Sequence, residues 1–199
     1  ATNASNYLCD MVGLVEKYRS IRPDAAGGLG RASAGRDGRS AAQAQSETKA
    51  MQSSALKLGD LTRLPRLPNG MKWVKISDLD WDSVDNDLKF KKASKEEIKA
   101  MLKVFETELL PRLQSKSPID PVALAAEDIS AGRTTSATSL SFAYQFMIGN
   151  DHGSDVVAVD APHPLNGEGY TWQSGRHRAS VARALGWKVI PVRVVGGEV

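Results

Sequence analysis

The stretch GYTWQSGRHRASVARALG, residues 169–186, continued by WKVIPVRVV, residues 187–195, decides the fold. Gly169 to Gln173 is rich in aromatic and β-branched residues, which predicts a short strand. After Gly175, Val181 and Leu185 recur at helical spacing among the small residues Ala179, Ala182 and Ala184. A helix to about Leu185 follows, with Gly186 as its C-cap, and Lys188 to Val195 reads as a closing strand. Between strand and helix stands the box Gln173-Ser174-Gly175-Arg176-His177-Arg178. A glycine at such a turn lets the backbone approach a ligand, and a helix start concentrates amide donors and partial positive charge. That combination is a phosphate site. Arg176 and Arg178 can hold phosphate oxygens bidentately, while His177 can donate, accept or transfer a proton near neutral pH. The competing reading is a solvated basic helix with a histidine satisfying a local hydrogen bond; the strand–glycine–helix context favours phosphate.

Working outward, Asp155 to Asp160 predicts another short strand, and Pro162, Pro164, Asn166 and Gly167 mark the turn that joins it to the first. Asp160 and Glu168 flank this turn and His163 lies in it, so all three are candidate helpers, as general base or as ligands to a divalent ion. The three histidines are His152, His163 and His177, and their spacing matches no zinc motif. Tyr170 and Trp172 share one face of their strand, where packing in the core is favoured over stacking on a base. Residues 171–199 carry a net charge of +4 and the other 170 residues sum to −1, although the whole chain of 199 residues is only +3. The asymmetry points to a polyanionic ligand more directly than the overall charge does.

Toward the N-terminus, Leu8, Met11, Val12, Val15 and Tyr18 predict an amphipathic helix within residues 1–20. Residues 21–65 are dominated by Ala, Gly, Ser, Arg and Gln and read as a flexible linker, with transient helix near its Ala/Gln part. Residues 66–199 form the globular domain. Met71 to Ile76 reads as its first strand, and the aspartate-rich loop from Asp78 to Asp87 as a solvated loop, since it lacks the pattern of a calcium site. Ser94 and Glu97 make a capping box, ahead of the helical stripe Ile98, Met101, Leu102, Phe105 and Leu109; Pro111 should end or kink that helix. A short strand is expected at Val122 to Leu124. Leu140 to Ile148 fits a strand and a buried helix equally well.

The composition, 41% apolar, supports a core, and the single cysteine, Cys9, excludes an internal disulfide and a thiolate zinc cluster. No run of about 18 apolar residues is available to span a bilayer, and no signal peptide is evident. The chain opens on Ala1 rather than Met, from which excision from a longer protein is expected.

Val156 to Asp160, Gly169 to Trp172, the Gly175-Arg176-His177-Arg178 box with its helix to Gly186, and Lys188 to Val195 together resemble the ParB/sulfiredoxin superfamily. The likeness covers about 40 residues well and Trp73 to Leu113 loosely; residues 125–150 look like an insertion, and residues 1 to 65 are not covered. The resemblance implies an α+β fold, a mixed sheet with flanking helices, in which Ser174, Gly175, Arg176, His177 and Arg178 contact phosphate. Members of the superfamily bind or hydrolyse nucleotides, transfer phosphoryl groups or cleave nucleic acid, with Mg²⁺ or another divalent metal, or a nucleoside triphosphate, as the implied cofactor. Sulfiredoxin carries a catalytic cysteine where this chain has Arg176, which excludes sulfinic-acid reduction. Many relatives have Asp before the glycine where Ser174 stands here, which weakens the kinase reading.

A module of this kind behind a linker also resembles the C-terminal domains of bacterial polymorphic toxins. The expected function is therefore a nuclease acting as a toxin or effector, with His177, Arg176 and Arg178 as its main catalytic groups. Its substrate would be DNA rather than RNA. Its site of action would be the cytoplasm, of its own bacterium or, after secretion, of a target cell, with a neutralising immunity protein as partner. The alternatives are a CTP- or ATP-binding regulatory module of partition type and, third, a phosphotransferase.

Overall fold

A computed structural model of the chain describes residues 41–82, 93–115, 118–149, 156–162 and 169–196. The expected N-terminal helix lies outside them, as do His163 and Glu168.

Four short strands form one mixed sheet: β1 (Lys72–Lys75), β2 (Ala158–Asp160), β3 (Thr171–Ser174) and β4 (Val189–Val195), in the order β1-β4-β2-β3. β4 runs antiparallel to β1 and parallel to β2, and β2 runs antiparallel to β3. Val189 to Val192 are buried, as expected of a strand paired on both edges and covered by helices. The α+β class and the mixed sheet are thus present, with each strand slightly shorter than its sequence pattern.

Among the described residues five α-helices of eight residues or more accompany the sheet: α1 (Ala41–Leu58), α2 (Lys95–Val104), α3 (Pro121–Ser130), α4 (Leu140–Met147) and α5 (Arg176–Ala184). The stretch expected as linker to residue 65 is helical over α1, and Ala55 and Leu56 are fully buried. Composition disguised this, because α1 offers few large apolar residues and docks mainly through its last turns. There the Lys188 amide donates to the Leu56 carbonyl at 2.6 Å.

The capping box of α2 is formed in both directions, Ser94 Oγ accepting from the Glu97 amide at 3.2 Å and the Glu97 carboxylate accepting from the Ser94 amide at 2.8 Å. The regular α-helix gives way at Phe105, ahead of Pro111, and the helical run stops at Arg112, one residue beyond it, as expected of a proline that ends or kinks a helix. Phe105–Leu109 widens into a π-turn, in which the Leu110 amide bonds to the Phe105 carbonyl, and the chain continues through Leu110–Arg112. Widening the turn relieves the clash that a proline ring makes with the carbonyl four residues before it.

The short strand expected at Val122 to Leu124 is instead the start of α3. Asp120 caps the Val122 amide at 2.9 Å and Pro121 occupies the first turn, where its missing N–H costs nothing. Leu140 to Met147 resolves as helix α4, and Leu140, Ala143, Tyr144, Met147 and Ile148 enter the core. Within the stretch expected as an insertion, Ala125, Leu140, Ala143, Tyr144, Met147 and Ile148 are therefore buried in the core. Asp128, 3% exposed, binds α3 to α4: its carboxylate accepts from the amides of Leu140 and Ser141, both at 2.9 Å, the hydroxyls of Ser139 and Ser141, and Arg133 Nε at 2.7 Å. Burial pushes its pKa up, but the hydrogen bonds from Ser139, the two amides and Arg133 outweigh it and hold the group below the usual carboxylate range.

Candidate functional site

β3 turns into α5 through Gly175, the N-cap, at φ +85°. A Cβ at this position would lie 2.8 Å from the Val157 Cα and 2.9 Å from its Cγ2. Both facts require glycine, for the left-handed backbone and for close packing of the helix start on the chain entering β2. Ser174 Oγ donates to the Val156 carbonyl at 2.7 Å and fastens the same corner. The two residues expected to cradle phosphate thus also hold the turn in shape.

The three basic residues separate by burial. Arg178 is 9% exposed; its guanidinium donates to the Phe146 carbonyl at 2.6 Å and lies 4.2 Å from the Phe146 ring centre. It anchors α5 to the end of α4, where a cation also meets the negative end of the helix dipole. Arg176 and His177 are half-buried on the first turn of α5. With Gly175 as N-cap, no capping side chain occupies the helix start, so the dipole, Arg176 and His177 coincide there.

Asp160 ends β2 opposite Thr171, whereas Ala158 at the other end of that strand faces Ser174. Antiparallel pairing therefore sets the Asp160 backbone about 10 Å along the ribbon from Ser174 and the helix start, at about 3.3 Å per residue, but the Asp160 side chain still reaches Gln173, the first residue of the box. Its Oδ2 accepts from Gln173 Nε2 at 2.6 Å. Trp172 is buried in the core as expected; its indole N–H donates to the Asp80 carbonyl, and its ring meets Trp81 edge-on at 5.3 Å.

Arg193 went unnoticed as a site residue. It pairs with Ala158 across the β2–β4 ladder, so the row Arg193, Ala158, Ser174 crosses the sheet and ends beside the box. Arg193 is half-buried and, among the described residues, pairs with no carboxylate. Its charge was visible in the sequence, but its neighbour was not, because a parallel ladder joins segments far apart in the chain.

Among the described residues no three His, Cys, Asp or Glu side chains converge as a metal site. No helix among the described residues is long and apolar enough to cross a membrane. No family model, characterised protein or solved structure matches this chain.

Proposed function

We propose that this domain binds phosphate at the start of α5 and cleaves nucleic acid, DNA in preference to RNA, as a ParB-like toxin or effector of bacterial origin acting in the cytoplasm. The observation that carries the reading is the coincidence of Arg176 and His177 with the glycine-capped first turn of α5. Arg176 and the helix dipole neutralise the phosphodiester. His177 supplies the proton taken up by the leaving oxygen as the P–O bond breaks; the water that adds to phosphorus loses a proton to solvent, from which His177 is reprotonated. Arg178, held on Phe146, positions the turn rather than meeting the substrate, and Arg193 adds positive potential from the sheet.

The test is incubation of the full chain with supercoiled plasmid and with a single-stranded RNA, over a panel of divalent ions, alongside His177→Ala. Loss of a general acid lowers the rate by about 10²–10⁴-fold, so plasmid nicking should fall by that factor in a variant whose circular dichroism is unchanged. A folded His177→Ala protein that nicks at the wild-type rate removes the assignment. CTP or ATP binding by calorimetry, with no cleavage of either polymer, would instead select the regulatory reading.

A further inference from the structure

Arg176, Ser180 and Arg183 are spaced i, i+4, i+7 and share one face of α5. It is the outward face, since Arg178, Ala179, Val181 and Ala182 are buried and Arg183 is exposed. At the far end of this stripe a cleft of about 740 Å³ is lined by Lys57, Lys75, Arg183 and Lys188, with Trp81 and Trp187 among them and no acidic residue. The four cations come from α1, β1, α5 and the turn before β4. Gathering like charges from four places is unfavourable without a counter-charge.

Lys57 has one in the buried Glu106, at 3.4 Å. Among the described residues, Lys75, Arg183 and Lys188 pair with no carboxylate. The Arg183 guanidinium lies over the Trp81 ring at 4.7 Å, and Trp81 is itself fixed by its N–H to the Ile76 carbonyl at 2.7 Å. A guanidinium held over an aromatic face keeps its N–H donors for a phosphate.

We propose that this cleft is a second anion site, and that together with the Arg176–Arg183 stripe it forms a track for the phosphodiester backbone of a single nucleic-acid strand. Seven residues at 1.5 Å separate Arg176 and Arg183 by about 10 Å along the helix. The cleft sets four exposed cations around the half-buried Trp81 ring, a basic groove with an aromatic wall of the kind that tracks a single strand. The proposal shares with the proposed function the premise that the ligand is nucleic acid, but it does not require cleavage.

The test uses the full chain and a fluorescein-labelled 20-nucleotide single strand in EDTA, with anisotropy read from 50 to 200 mM salt. Lys75→Ala, Arg183→Ala and Lys188→Ala should each weaken binding by about threefold to tenfold and lower the salt slope by about 0.7. Lys95→Ala, an exposed cation on α2 outside the cleft, should change affinity by less than about twofold. Should Arg183→Ala disturb the fold, Arg183→Lys keeps the charge without the planar donors and should still weaken binding. The triple alanine variant binding like wild type, Lys95→Ala having an equal effect, or cleft-dependent binding to phosphatidylserine vesicles without strand binding would each overturn the proposal. Cleft-dependent strand binding by a protein that never cleaves supports the cleft and removes the nuclease. Normal binding and cleavage by the triple variant, with cleavage lost in His177→Ala, does the reverse.

Discussion

Gly175→Ala separates a glycine required by the fold from one required by a ligand. Placing an L-residue at φ +85° costs roughly 1–2 kcal/mol. The new Cβ would also stand 2.8 Å from the Val157 Cα, and since that neighbour is backbone, β2 and α5 must move apart. Overpacking of this kind costs about 1–3 kcal/mol.

Gly186, at the other end of the same helix, has φ +83° with nothing within 4 Å of a Cβ, so Gly186→Ala carries the conformational cost alone. The loss of unfolded-state entropy is common to both substitutions and cancels in the comparison. Gly175→Ala should therefore be less stable than Gly186→Ala by about 1–3 kcal/mol, out of the 5–15 kcal/mol typical of a domain, roughly. Urea unfolding followed by tryptophan fluorescence measures both midpoints at a common slope. Midpoints within about 0.5 kcal/mol of each other would refute the packing argument and return Gly175 to a role toward ligand alone.

Other outcomes follow from the same contacts. Asp128→Ala strips five donors of their buried acceptor and should destabilise by about 3–5 kcal/mol in urea; Asp128→Asn, which keeps an acceptor oxygen, should lose less. Glu127 is held down to about 2, first by the hydrogen bond from Arg112 and then, against burial, by Arg133; Asp128 is lowered too. Folded values below unfolded ones mean that this stabilisation is whole above about pH 4.5 and is lost as pH falls toward 2. Arg112→Met should flatten that part of the acid-unfolding curve, and an unchanged curve would count against the pairing. Arg178→Met keeps the stem against Phe146 but drops the bond to its carbonyl, for a loss of about 1.5–3 kcal/mol in the urea midpoint. A loss of plasmid cleavage in Arg178→Met with no change in stability would restore Arg178 to direct contact with substrate.

The capping box at Ser94, the strand–glycine–helix order around Gly175 and the closing strand to Val195 were all readable from residues 94–195, because caps, periodicity and turn glycines act over a few neighbours. Trp172 was likewise assigned to the core from strand alternation. The helix Ala41–Leu58 reads in the sequence as linker with only transient helix, because its stability comes from docking Ala55 and Leu56 rather than from an apolar stripe of its own. Leu140 to Ile148 fits both periods, and the choice fell to helix once Asp128, twelve residues away, capped the Leu140 amide.

Within the site, local sequence identified the anion-attracting end of α5, since a glycine N-cap and adjacent cations are properties of consecutive residues. Which cations face outward depended on packing. Arg178 turns inward because the end of α4 offers a carbonyl and a ring; antiparallel pairing leaves Asp160 on Gln173, at the strand end of the box rather than at the helix start, and a parallel ladder brings Arg193 toward Ser174. Sequence order encodes short-range geometry directly, whereas contacts between distant segments exist only after the sheet has chosen its strand order.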